Sequence, residues 1–84
     1  MANIIIPFPL RKFTDNLREV EVEAGILAEC MEILITKYPG LNSILENPAL
    51  LSIFVNGTLC RDVWTDVRLD HDDEISLIIP IAGG

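Results

Sequence analysis

The sequence is poor in the residue types on which most enzymes rely. It has one histidine, two cysteines and five aromatic residues in 84. No Gly-rich phosphate loop and no G-x-S-x-G motif occurs, and nothing pairs the histidine with a cysteine. We therefore expect neither nucleophilic catalysis nor an active site of the chain's own.

The single histidine lies in an acidic segment, Asp70-His71-Asp72-Asp73-Glu74. The spacing matches no metal-ligand pattern, and aspartates are ordinary turn residues. We expect a polar turn here, with no bound metal and no bound cofactor.

Neither cysteine belongs to a C-x-x-C motif. Cys30 and Cys60 both lie in apolar-patterned segments that suit a small buried side chain.

The sequence shows no signal peptide and no membrane span. The N-terminus has no basic start, Pro7 and Pro9 interrupt its apolar run, and no stretch approaches the ~18 apolar residues of a membrane span. These features favour a reducing cytoplasm and no membrane partner.

Basic residues are scarce as well: six, against 13 acidic ones, for a net charge of −7. Such a chain repels phosphate backbones, so we expect no nucleic-acid partner. The charge fits a basic protein surface as partner, or serves solubility alone. Half of the residues are hydrophobic, which predicts one domain with an aliphatic core.

The apolar periodicity predicts an α+β roll. Strands are expected at 3–9, 17–23, 50–55, 58–63 and 74–81, the last carrying Ile75, Leu77 and Ile79 inward. In the first strand Ile4, Ile6 and Phe8 are expected to share a face. Leu17, Val20 and Val22 form the apolar side of the second strand.

Between the second and third strands the period becomes helical. Apolar residues recur from Leu27 to Tyr38, and Pro39-Gly40 stops the helix. Asn56-Gly57 predicts a hairpin turn. The expected fold is a mixed sheet of four to five strands with one main helix across one face.

Some apolar residues fall where polar ones are expected. Ile78 points outward on the last strand, Leu59 follows the hairpin turn, and Trp64 lies in a stretch otherwise built for exposure. Such residues mark a partner surface when they cluster and mean nothing when scattered.

The last three residues are Ala82-Gly83-Gly84, directly after an apolar strand. Either these residues have no function, or the terminal carboxylate is itself the reactive group. A chain end that reaches ATP inside another enzyme must be extended, narrow and free of side chains, and glycine meets that need. We therefore divide the chain into a domain, 1–81, and a flexible tail, 82–84.

Several segments together resemble one family. "PLRKFT" after the first strand, "YPGL" after the helix, "VNG" at the hairpin and "LDHDDEISLIIPIAGG" at the end are similar to the ubiquitin-like sulfur carriers of the ThiS/MoaD group. The resemblance implies a β-grasp fold and a carrier that is a protein co-substrate, not an enzyme. An E1-like adenylyltransferase would adenylate its last glycine with ATP, and sulfur transfer would then give a thiocarboxylate.

The resemblance also implies site residues. Gly84 would bear the thiocarboxylate, with Gly83 as its narrow neighbour. Arg11, Leu59 and Ile78 match positions that contact the adenylating enzyme, and we add Ile81 and Ala82, which lead into the tail, to the partner-binding set.

The sequence departs from the family pattern at two places. Ile26 stands where a threonine often caps the helix, and "DHDDE" replaces "DGDE". "IPFPLRKFT" looks more like carriers that serve cysteine synthases than like the molybdopterin branch, with thiamin carriers ranked below both. The sulfur-accepting partner is thus expected to be a cysteine synthase-like enzyme or the molybdopterin synthase large subunit.

Two alternatives stay open at this point. Gly84 could be joined to lysines of other proteins, as in a ubiquitin-like modifier. The chain could also be a plain acidic interaction domain with an inert end.

Overall fold

The fold follows from a computed structural model that describes residues 1–47 and 51–79. Five strands form one sheet: β1 (Ala2–Ile5), β2 (Glu19–Val22), β3 (Ser52–Val55), β4 (Thr58–Leu59) and β5 (Glu74–Ile78). The helices are α1 (Leu27–Lys37) and α2 (Asn42–Leu45), and three short 3-10 helices span Phe8–Phe13, Pro39–Leu41 and Trp64–Asp66.

The strand order is β2-β1-β5-β3-β4. β1 pairs with β2 antiparallel and with β5 parallel, and β3 is antiparallel to both β5 and β4. The mixed sheet with one main helix across it confirms the predicted fold class, the ubiquitin-like β-grasp.

The core lies between α1 and the inner face of the sheet. Leu27, Met31 and Leu34 of α1 are fully buried in one cluster with Ile4 of β1 and Ile75 of the central strand, β5. Each such side chain contributes about 1.5–3 kcal/mol when it leaves water. The helical and alternating patterns of the sequence are thereby confirmed for the core.

The first strand is shorter than predicted. β1 ends at Ile5, and Phe8, expected on the buried face with Ile4 and Ile6, is 79% exposed in a 3-10 helix. Pro7 and Pro9 cannot donate to a sheet, and proline favours the first turn of a helix. The prediction for Phe8 is wrong, whereas Ile4 and Ile6 are buried as expected.

Two other strand ends also differ. Leu17, predicted to share a buried face with Val20 and Val22, is 44% exposed and precedes β2. An odd separation along a strand puts it on the opposite face from those valines. The return strand after the hairpin is only Thr58–Leu59, not 58–63.

The hairpin turn is as predicted. Asn56 and Gly57 have φ angles of 51° and 83°, as a type I′ turn requires at both central positions. A second glycine, Gly40, permits close packing: a Cβ there would lie 2.7 Å from Cδ1 of Phe13.

The start of α1 lacks the side-chain cap that a threonine at this position could supply. Ile26 is the N-cap residue and makes no side-chain cap hydrogen bond. The N–H of Leu27 instead donates to the carbonyl of Val67 at 2.9 Å, so part of the cap is supplied by the chain before β5.

Candidate functional site

The side chains that alternate with the buried ones along the strands are half-buried or exposed, and we call the face that they form the open sheet face. Register fixes its members. Ser76 of β5 lies opposite both Ile5 of β1 and Phe54 of β3, and Leu59 of β4 lies opposite Phe54. Because side chains alternate along a strand, Ile78 projects from this face too.

An apolar group therefore crosses three neighbouring strands and the edge of a fourth. Ile78 is 45% exposed and Leu59 38% exposed, and both lie on this face as predicted. Phe54 lies on the strand between theirs, directly opposite Leu59 and diagonal to Ile78, and Ile5 adds to the group from β1 on the other side of Ser76. The clustering that the sequence left open is thus present.

The β2 side of the open sheet face is acidic. Glu19 and Glu21 lie opposite Ile5 and Asn3, and Glu19 accepts a hydrogen bond from the Asn3 side-chain amide at 3.2 Å. The face therefore grades from carboxylates at β2 to apolar side chains at β5, β3 and β4.

Arg11 lies at the end of the sheet where β5 finishes. Its Nε donates to the carbonyl oxygen of Ile6 at 3.1 Å, and its guanidinium carbon is 5.7 Å from the centre of the Phe8 ring. Since β1 and β5 run parallel, Ile6 is level with the last residues of β5. Arg11 and Ile78 are therefore at the same end of the sheet.

Other predicted site residues have different outcomes. Trp64 is half-buried against the core near α1, so it is not part of the open sheet face. Ile81, Ala82, Gly83 and Gly84 lie outside the described residues, as does the predicted boundary between domain and tail.

The sequence interpretation missed Phe54 and Ile5. Both alternate with buried residues, Ile53 and Ile4, so strict period-two reading of β1 and β3 would have placed them outward. Only the strand order brings them beside Ile78 and Leu59.

Hydrogen bonds hold the acidic turn, residues 70–74, together and join it to the hairpin turn at Asn56. Asp73 accepts hydrogen bonds from the Asn56 side chain at 2.8 Å and from the Asp70 N–H at 2.7 Å. These bonds hold the pKa of Asp73 below its usual value. His71 accepts from the Met1 amino group at 2.9 Å, and residues 1–47 and 51–79 contain no group of side chains arranged to hold a metal.

The two cysteines are free thiols. Burial, with a smaller contribution from the Glu29 carboxylate, raises the pKa of Cys30 to about 11. That thiol is protonated and shielded at neutral pH, so it is a core residue and not a nucleophile.

Within the described segments, no helix is both long and apolar enough to cross a bilayer.

Comparison with known proteins assigns the chain to a family. The sequence model of the ThiS family matches residues 4–84. The chain belongs to the ThiS family. Its members are ubiquitin-like sulfur carriers, small protein co-substrates and not enzymes. The family match spans the fold described above and includes both terminal glycines.

Solved structures share this ThiS-family fold at low identity. A chain of the Amycolatopsis orientalis BexX/CysO complex matches with a TM-score of 0.88 at 19% identity, covering 100% of both chains. Small archaeal modifier protein 1 of Methanosarcina acetivorans gives 0.82 at 20% identity, over 99% of this chain and 95% of that one.

A third likeness is to a chain of the complex of subunits 1 and 2 of molybdopterin-converting factor from Helicobacter pylori. Its TM-score is 0.71 at 23% identity, over 99% of this chain and 97% of that one. No curated protein matches this sequence.

Proposed function

We propose that this ThiS-family chain carries sulfur as a thiocarboxylate on Gly84. The observation that carries the proposal is the family match, which spans residues 4–84 and so includes the Gly83-Gly84 pair. A carrier needs a stable domain for recognition and a narrow end for chemistry, and the buried aliphatic core supplies the first of these.

The chemistry requires an activated carboxyl group, because a carboxylate is a poor electrophile. A Gly84 carboxylate oxygen attacks the α-phosphorus of ATP, and pyrophosphate leaves. Sulfide equivalents then attack the acyl carbon of the adenylate, AMP leaves, and the thiocarboxylate remains. The ATP is held by an E1-like adenylyltransferase, and this chain holds no cofactor.

The open sheet face is the surface we assign to that enzyme. Leu59 and Ile78 are partly exposed on it, and Arg11 lies at the end where β5 finishes. Ile81 and Ala82 follow β5 in the chain and would enter the enzyme with Gly83. Apolar surface of this kind is covered when a partner docks.

For the acceptor, we propose a cysteine synthase-like enzyme ahead of the molybdopterin synthase large subunit. The "IPFPLRKFT" segment supports that order, and the likeness in fold to the CysO complex exceeds that to molybdopterin-converting factor. We place the reaction in the cytoplasm, where ATP is available and where free thiols such as Cys30 and Cys60 persist.

The test is the intact mass of the protein isolated gently from its own cells, and again after incubation with its E1-like enzyme, ATP and a sulfur donor. A species heavier by the difference between one sulfur and one oxygen atom, localised to Gly84, is expected. A variant lacking Gly84 should show no such species. Free carboxylate alone under all these conditions would overturn the carrier proposal.

A second candidate function is protein modification through Gly84. The likeness in fold to small archaeal modifier protein 1 favours it. It predicts branched Gly-Gly adducts on lysines of other proteins in a digest of cells that express the chain, absent when Gly84 is deleted. Both activities would begin with the same adenylate, so finding adducts does not displace the carrier role.

A further inference from the structure

One corner of this acidic protein is basic. Residues 8–18 carry three cations, Arg11, Lys12 and Arg18, and one carboxylate, Asp15, so their net charge is +2 against −7 for the whole chain. No carboxylate of the described residues forms an ion pair with these cations. They surround an open depression of about 410 Å³, and its lining is Phe8, Pro9, Arg11, Lys12, Asn16 and Arg18. We call these six residues the basic corner.

The basic corner has an apolar centre. Phe8 is 79% exposed, the most exposed large hydrophobic side chain in the described parts of the chain. Arg11 lies over its ring at 5.7 Å, which orients both side chains. The Lys12 ammonium lies 5.2 Å from the centre of the Phe13 ring. An exposed aromatic ring beside cations that no carboxylate neutralises is typical of a protein contact site.

The backbone beneath the corner is held in place. The Arg11 carbonyl accepts hydrogen bonds from the N–H groups of Asn16 at 2.7 Å and Thr14 at 3.1 Å. Thr14 is fully buried, with its Oγ1 3.2 Å from the carbonyl oxygen of Leu17. Asp15 and Asn16 have φ angles of 54° and 64°, so the loop adopts a conformation that its neighbours must maintain.

Strand register fixes where the basic corner lies. Ile6 lies one residue after the end of β1 and shortly before the basic corner. Its N–H donates to the carbonyl oxygen of Arg18 at 2.8 Å. Both are at the end of the sheet where the parallel strands β1 and β5 finish. The corner therefore adjoins the end of β5 that continues toward residues 80–84.

The other end of the sheet is acidic. Glu23 follows β2 there, and Asp72, Asp73 and Glu74 lead into β5. The Asn3 N–H donates to the Asp73 carbonyl at 2.9 Å, which ties this turn to the start of β1. Glu19, opposite Ile5, also lies at the end of the basic corner, and Arg68, opposite Ile26, lies near the acidic end. The three cations of the basic corner are nevertheless concentrated at the end where β1 and β5 finish, and the carboxylates of residues 72–74 at the other.

We propose that the basic corner docks an acidic segment, with an apolar residue seated on Phe8, at the rim of the enzyme that takes up the tail. The inference rests on the proposed carrier function and adds Phe8, Lys12 and Arg18 to the recognition surface. Because the opposite end is acidic, such a rim attracts the tail end and repels the other. The charge distribution therefore orients the carrier during encounter, which raises the association rate.

The first experiment needs no enzyme. The ¹⁵N-labelled chain is titrated with the peptide Asp-Glu-Leu-Asp-Glu and, as the uncharged match, with Asn-Gln-Leu-Asn-Gln. We expect amide shifts confined to residues 8–18 with the acidic peptide only, weakened by added salt. Amide shifts that also appear at Lys37, Arg61 and Arg68, or no shifts at all, would overturn the proposal that acidic segments bind specifically at the basic corner.

The second experiment measures kcat/KM for adenylation of the carrier by its E1-like enzyme as salt is raised. The double reversal Lys12→Glu with Arg18→Glu should lower kcat/KM about tenfold at low salt, with kcat nearly unchanged. Lys37→Glu with Arg61→Glu makes the same change in net charge elsewhere and should have a much smaller effect. Equal losses in both pairs would overturn the proposal.

One further outcome counts against the proposal, and another tests the carrier function separately. If the peptide fails while the unaltered chain still self-associates at low salt, the corner binds the acidic end of a second copy. If wild-type chain is never adenylated, the carrier function fails, yet the peptide titration still decides whether the corner binds acidic segments. Phe8→Ser should weaken peptide binding without altering the salt dependence.

Discussion

Asn56 and Asp73 join two turns that lie 17 residues apart in the chain. The Asn56 side-chain amide donates to the Asp73 carboxylate at 2.8 Å, while its carbonyl oxygen accepts from the Glu74 N–H at 2.9 Å. One residue thus shapes the hairpin turn through its positive φ and fixes the start of β5 through its side chain. Because β5 is a central strand of the sheet, this link bears on the whole fold.

Asn56→Ala should cost about 2–3 kcal/mol of unfolding free energy, since it loses these hydrogen bonds and strains the left-handed conformation. Asn56→Gly loses the same bonds without the strain and should be less destabilising by about 1 kcal/mol. Urea denaturation measures both. Equal stability of the two variants would show that the backbone conformation contributes nothing.

The Asn56–Asp73 link also predicts a pH dependence. Hydrogen bonds from Asn56, and then from Asp70, lower the pKa of Asp73 in the folded state. Their stabilisation is therefore fully present above the unfolded pKa of about 3.9 and is lost as the pH falls through the folded value. Asp73→Asn should reduce stability at neutral pH and approach wild type in acid. A gap that stayed constant with pH would contradict this account.

The missing helix cap gives a stabilising substitution. Ile26 has the extended backbone of an N-cap, with φ −138° and ψ 156°, but no side-chain acceptor. Ile26→Thr should be more stable than its isosteric match Ile26→Val by about 1 kcal/mol, because the hydroxyl oxygen can accept from the first turn of α1. Thermal or urea unfolding of the pair measures the difference. A threonine variant no more stable than valine would mean that the Val67 carbonyl and its surroundings already satisfy this end.

The sequence predicted most local elements correctly, but it did not predict which side chains of different strands become neighbours. The α1 core, Val20 and Val22, and the Asn56 turn follow from short-range periodicity and turn chemistry. Phe8 was mistaken for a strand residue because a Pro-Phe-Pro segment preserves alternation but cannot keep sheet hydrogen bonds. That the strand of Phe54 lies between those of Leu59 and Ile78 depends on strand order, which is a long-range property.

Cysteine labelling should separate the two thiols. Cys30 is buried with its pKa raised to about 11, whereas Cys60 is half-buried near the sheet edge. Iodoacetamide at neutral pH should modify Cys60 first, and Cys30 only on unfolding, as mass spectrometry of the digested chain would show. A Cys60→Ser variant that is still alkylated rapidly when folded would place Cys30 within reach of solvent.

The open sheet face gives a prediction about partner binding. Leu59→Lys and Ile78→Lys should each lower kcat/KM for adenylation by at least about tenfold, since each removes an apolar contact and places a charge in the interface. Val63→Lys is the matched control, because Val63 is 67% exposed but lies off the five strands. Unchanged chain stability is expected in all three. An effect of the control as large as the others would mean that the added charge, not the face, is responsible.

The tail prediction concerns side-chain volume at Gly83. If Gly84 must reach ATP through a narrow channel, then Gly83→Val displaces the reacting carboxylate and should lower the adenylation rate about 100-fold, while unfolding is unaffected. Gly25→Val is the matched control, because an added Cβ at Gly25 meets nothing within 4 Å. Pyrophosphate release in the presence of the E1-like enzyme measures the rate for both. Full activity of Gly83→Val would mean that the channel tolerates a branched side chain, so that the glycine pair serves something other than passage to the adenylation site.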